Sequence, residues 1–301
     1  MRRNRGTDCV RPDRMARMKC RGLTLIELVA ALTVTAITAA FAVLLIAAPP
    51  VTLDHTARRA ALRETAAQGL DLVAREWRSA LPNSLRVRSN AGVLALEHLA
   101  VLDTATVFRD DPAVPADQRL EIGSPDGRFE TLGAFAATAK PFSADDVYIA
   151  LHHTGAPGHD AYALQNVITP AGTRVTITAG SAAGQDRVEL APPALFTALG
   201  GKRRVALVAG AISYLCDPRA GTLQRYSGYT IAAQHAQRDS DAELMAAGAQ
   251  RSVLMRGVVS CRVARAPSAS AAQLAQQLMI GVRHGSDVVQ LTISHVGDTS
   301  G

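Results

Sequence analysis

Arg21-Gly22-Leu23-Thr24-Leu25-Ile26-Glu27-Leu28 is the stretch that decides the fold, because it opens a run, residues 28–48, of 21 residues without one charged side chain. At ~1.5 Å per residue such a helix crosses a ~30 Å hydrocarbon layer, so a single membrane-spanning helix is expected over residues 23–48. Glu27 stands at its head. A carboxylate inside an apolar helix costs about 2.5–3.5 kcal/mol on insertion scales, so it calls for a partner. A secretory signal peptide has a shorter apolar run, no acid within it and a small-residue cleavage site. Here Pro49-Pro50 follows Ala47-Ala48, where such a site would lie.

The formal charge of +6 lies entirely ahead of that helix. Residues 1–22 hold eight basic and two acidic side chains, and the remaining 24 basic and 24 acidic side chains balance. The basic excess is therefore a leader and not a nucleic-acid-binding face. Lys and Arg stay on the cytoplasmic side, which puts the leader inside and everything after residue 50 in the periplasm of a bacterial inner-membrane protein.

A basic leader ending in Gly22, with a lone glutamate at Glu27 in an apolar helix, resembles the class III signal of type IV prepilins and type II secretion pseudopilins. The resemblance implies cleavage between Gly22 and Leu23 by a prepilin peptidase, and methylation of the new amine. Leu23 departs from that family's usual phenylalanine. It further implies that Glu27 pairs with the amine of a neighbouring subunit, so other pilins or minor pseudopilins and an inner-membrane assembly platform are the expected partners.

Beyond the prolines, residues 54–80 read as a second helix, within a stalk of residues 49–82. Leu62, Ala66, Leu70, Val73, Trp77 and Leu81 recur at spacings of four and three as one apolar stripe, with charges on other faces. Pro82 ends the pattern. Residues 83–301 then read as a head of short strands: 85–88, 93–99, 147–151, 174–178, 187–190, 205–215, 223–226, 253–263, 278–283 and 288–295. Asn90-Ala91-Gly92 and His284-Gly285-Ser286 suit hairpins. Residues 103–146 read as long connections and 266–277 as a loop or short helix. The expected class is α+β, a long N-terminal helix followed by a mainly antiparallel β head, pilin-like. Cys216 and Cys261, the only cysteines beyond the leader, are expected to form a disulfide between neighbouring strands in an oxidising compartment; buried free thiols are the other reading.

Three head segments carry a narrower resemblance: residues 81–87 (Leu81-Pro82-Asn83-Ser84-Leu85-Arg86-Val87), 128–133, and 211–229 with Tyr214-Leu215-Cys216 and Tyr226-Ser227-Gly228-Tyr229. They are similar to the MshO family of MSHA (mannose-sensitive haemagglutinin) pilus biogenesis proteins, and the GspJ-like minor pseudopilins of type II secretion share the same plan. A segment after Leu99 departs from that pattern.

The sequence has no Gly-x-Ser-x-Gly, His-Glu-x-x-His, P-loop or Gly-x-Gly-x-x-Gly motif, so no catalytic residue and no cofactor are expected. A signal-anchored enzyme or ligand-binding module is the competing class. His152, His153, His159 and Asp160 are metal-ligand types at spacings that match no familiar site, and Asp110-Asp111 and Asp145-Asp146 lack the calcium-loop pattern, so no metal is expected. Lys202-Arg203-Arg204 reads as an exposed turn before a strand, with no nucleic-acid partner.

Overall fold

A computed structural model gives the fold and describes residues 24–47, 50–108, 114–266 and 273–298. The chain divides between Asp54 and His55 into two compact units. In the first, α1 (Leu25–Ala47) carries one charge, Glu27, in its opening turn. Its Leu25–Val43 stretch has a mean hydropathy of 2.1 and no part buried within the protein, long and apolar enough to cross a membrane. Thr33, Thr35 and Thr38 return their hydroxyls to the carbonyls of Ala30, Ala31 and Val34, which satisfies within the helix polar groups that lipid cannot solvate.

The second helix, α2 (Pro50–Arg78), begins on a proline, tolerated at a first helical position because the missing N–H has no partner to lose. It starts four residues before the expected bound and stops two before it. Within the second unit the apolar stripe is buried as its spacing predicts: Ala66, Leu70, Val73 and Trp77 are all 2% exposed or less. Leu81 belongs to a different cluster, since the helix has ended and the chain has turned under the sheet.

The strands then run β1 (Arg86–Asn90), β2 (Val93–Thr106), β3 (Pro125–Glu130), β4 (Phe142–Ala144), β5 (Tyr148–Ala150), β6 (Arg174–Ala179) and β7 (Asp186–Leu195). After them come β8 (Arg204–Asp217), β9 (Thr222–Ser227), a short α3 (Asp241–Ala246), β10 (Gln250–Arg256), β11 (Val258–Ala266), β12 (Gln273–His284) and β13 (Asp287–Asp298). Every strand pair is antiparallel among the described residues.

The largest sheet has the order β1-β2-β8-β9-β10, with β5 also on β8. On the edge of β8 away from β2, β5 pairs at residues 206–208 and β9 at 213–217, so β8 is the spine of the head. A four-stranded sheet, β3-β7-β6-β4, covers one end through Phe129, Ile177, Val188 and Leu207. A three-stranded sheet, β11-β12-β13, packs with α2 and the large sheet in a core of Trp77, Tyr214, Leu223 and Ile280. The α+β class with a mainly antiparallel head is thus what the chain adopts. Both expected hairpins form, the first with Ala91 at φ 49° and Gly92 at φ 87°, as a primed two-residue turn requires.

Three expectations are corrected. Residues 103–146 hold the end of β2 and all of β3 and β4. Pro125, Asp126 and Gly127 in β3, and only three residues in β4, left no alternation to read. Residues 273–277 are strand, paired with residues 294–298, and neither loop nor helix; 267–272 lie outside the described residues. The expected single run 253–263 also divides, at Gly257, into strands of two sheets. Its φ is 75°, and a Cβ there would lie 2.5 Å from the carbonyl oxygen of Arg283, so only glycine fits.

Candidate functional site

Gly22 and Leu23, the expected processing residues, lie outside the described residues. Glu27 lies at the third position of α1, its backbone N–H 3.4 Å from the hydroxyl of Thr24, and its side chain is exposed. Thr24-x-x-Glu27 has the form of a capping box, and the acid sits where the helix dipole favours it. The carboxylate therefore stands at the start of the apolar helix, available to a cation from outside it.

The three head segments that carry the narrower resemblance turn out to be architecture. Glu97, fully buried on β2, receives Arg86 Nε at 2.5 Å and the hydroxyl of Tyr229 at 2.7 Å. Ser213 lies 2.7 Å from that same hydroxyl. Arg86 also donates to the carbonyls of Ala232 and Ala233 and lies 3.6 Å over the ring of Tyr162, whose hydroxyl donates to the carbonyl of Ser84. Tyr214 and Arg225 both reach Glu76, which fastens α2 to the spine strand. In the four-stranded sheet the buried Glu130 accepts from Arg187 and Ser181. Burial raises the Glu97 carboxyl above its ordinary value, opposed by Arg86 and Tyr229.

Histidine chemistry here is structural. His153 is buried, and its Nδ1 accepts the N–H of Ala161 at 3.0 Å, which keeps that nitrogen unprotonated. The rings of His152 and His159 meet edge to face at 6.0 Å. Among the described residues no three His, Cys, Asp or Glu side chains converge as a metal would need. Asp145 is held by Arg174 at 2.7 Å, and Asp110-Asp111 lie outside the described residues. Trp77 is core. Cys216 and Cys261 are joined, their Cα atoms 6.2 Å apart. The bridge joins β8 to β11, strands that pack against each other from two different sheets, since the chain leaves the large sheet at Gly257.

The buried histidines give a pH dependence. Burial, with Arg86 and Arg88 adding to it and Asp239 opposing, lowers His235 from 6.5 to about 4; burial lowers His153 too, opposed by Asp160. Each folded pKa lies below the unfolded one, so the unfolded chain takes up protons first and stability falls as pH drops from about 6.5. Glu97, raised, acts in the opposite sense just above 4.5. Between pH 8 and 5 the expected loss from His235 is about 1–2 kcal/mol, measured by denaturation followed at Trp77. If His235→Gln leaves that pH slope unchanged, the assignment fails.

One feature went unread in the sequence. Arg78 at the end of α2, Asn83 in the following turn, His152 and the Lys202-Arg203-Arg204 turn line one cleft of 440 Å³. These cations are scattered over 126 positions of the chain, so only the antiparallel pairing of β2, β5 and β8 assembles them.

The prokaryotic N-terminal methylation motif matches residues 17–43, that is, the end of the leader and most of α1. No curated protein and no solved structure matches the chain. The chain thus carries the signal of type IV pilins and pseudopilins on an apolar helix, the mark of a membrane-anchored, pilin-like protein.

Proposed function

We propose that the chain is a minor subunit of an MSHA-like type IV pilus, of the MshO kind, which a prepilin peptidase cuts after Gly22 and which then joins or primes the filament. The observation that supports this most is Glu27 at the head of an exposed apolar helix, within the matched motif. Cleavage creates a positive amine at Leu23. Glu27 lies about one turn from its own amine and pairs instead with that of a neighbour, which neutralises the charge each would otherwise bring into an apolar bundle. The apolar helix serves as the anchor before cleavage and as filament core after it, with the head in the periplasm. The role is assembly and not catalysis.

The pilus reading rests on the resemblance of head segments 81–87, 128–133 and 211–229. A GspJ-like minor pseudopilin of type II secretion is the second reading, since it shares the leader and the helix-plus-β plan, and the neighbouring genes distinguish the two.

Co-expression with prepilin peptidase is expected to yield a chain beginning at Leu23, read by terminal sequencing. Glu27→Ala is expected to be cut as well as the wild type yet to lose cross-linking to other subunits. A mature terminus near residue 49, or no cleavage, overturns the proposal.

A further inference from the structure

The 440 Å³ cleft lies within the usual range for small-ligand sites, and its composition is unlike the rest of the head. Beyond the leader the chain is neutral, yet Arg78, Lys202, Arg203 and Arg204 all line this one concavity. Like charges gathered in a concave wall repel one another, and the wall focuses their field. Among the described residues the only acid in the lining is Asp103. Its carboxylate is already engaged, accepting from the N–H of Thr104 at 2.8 Å, the N–H of Ala137 at 2.7 Å and the hydroxyl of Thr138 at 3.0 Å. Arg78, Arg203 and Arg204 have no acidic partner among the described residues, so their charges are not neutralised by an ion pair there.

The backbone adds an independent observation. Arg203 has a φ of 50°, the left-handed region that an ordinary side chain disfavours, and it sits two residues after Gly201, where the turn had a glycine to offer. Asn83, on the facing wall, has a φ of 62°. Two residues of the lining thus hold the left-handed backbone conformation. Beneath the cations the floor is apolar, with Leu81, Leu151 and Ala206 buried. Ser79, Thr104 and His152 also line the cleft.

A planar guanidinium recognises the paired oxygens of a phosphate or carboxylate, and an apolar floor with hydroxyl partners suits a sugar ring. We propose that this cleft is a binding site for an anionic sugar, its phosphate or carboxylate held by Arg78, Arg203 and Arg204 and its ring laid on Leu81 and Leu151. This adds a recognition function to the head and does not depend on how the chain is processed.

The test uses the full chain in detergent, titrated with glucose 6-phosphate, with glucuronate and with neutral glucose. Trp77, the only tryptophan, adjoins Arg78 and reports by fluorescence; calorimetry provides the second readout. Saturable binding of at least one charged sugar and none of glucose is expected, with phosphate and carboxylate separated by the two arms. Arg78→Ala, Arg204→Ala and Arg203→Gly are each expected to weaken it about tenfold or more, the loss of one charge-assisted contact. Arg203→Gly relieves the left-handed conformation, so its loss of binding does not arise from unfolding. The proposal is overturned if neither charged sugar binds, if glucose binds equally well, or if the three variants bind like the wild type.

Discussion

Replacing Arg86 by alanine is expected to destabilise the head by about 3–5 kcal/mol, the cost of leaving a buried carboxylate without its cation. Glu97 is 0% exposed, and Arg86 meets it through Nε and Nη2, both at 2.5 Å. The same guanidinium also ties the 232–233 carbonyls to β1 and covers Tyr162, so one truncation removes a charge partner, two hydrogen bonds and a ring contact. The double variant with Glu97→Gln separates these effects. It removes the stranded charge, and it is expected to recover a part of the loss while leaving the carbonyls of Ala232 and Ala233 unpaired. Arg86→Lys keeps the charge without the fork and is expected to fall between the two. Denaturation followed at Trp77 decides: a loss under about 1 kcal/mol for Arg86→Ala, or no recovery with Glu97→Gln, contradicts the account.

That pair also shows where sequence reading stops. The stripe on α2 was legible because burial of a helix against a sheet imposes a 3.6-residue period on residue types, and Ala66, Leu70, Val73 and Trp77 obey it. The long strands were legible for the same kind of reason, as runs of β-branched and aromatic residues between turns. On β2, however, Glu97 and His98 are both fully buried although adjacent residues face opposite sides of a strand. Both faces are covered, so alternation vanishes, and a charged residue inside such a run looks like a surface position until its partner is known. Arg86 is register-paired with Glu97 across the hairpin, a relation that exists only once the turn at Ala91-Gly92 is placed.

The cleft was illegible for a related reason. Lys202-Arg203-Arg204 reads as a turn, and a turn it is: the N–H of Arg203 reaches the carbonyl of Gly200 just before β8. Its consequence comes from Arg78 and His152, which only the crossing of β8 between β2 and β5 brings to the same wall. Glu27 and its helix differ in kind. Their signal is local, and the matched motif lies wholly within residues 17–43.

Loss of the Cys216–Cys261 bridge is expected to cost about 4 kcal/mol, since it closes a loop of 45 residues in the unfolded chain. The position makes the bridge matter more than its loop length alone implies. It joins the spine strand of the large sheet to the first strand of the three-stranded sheet, and the only other covalent path between them passes through Gly257. Cys216 is fully buried beside Trp77, Leu223 and Ile280, so its separation also opens the core that holds α2. A reductant is therefore expected to lower the midpoint of thermal unfolding by about 8–16 °C for a unit of this size, with Trp77 reporting the loss. The Cys216→Ala, Cys261→Ala double variant is expected to melt near the reduced protein and to ignore reductant. Free thiols at either position under non-reducing mass spectrometry, or a midpoint that reductant does not move, would show that apolar packing alone joins the two sheets.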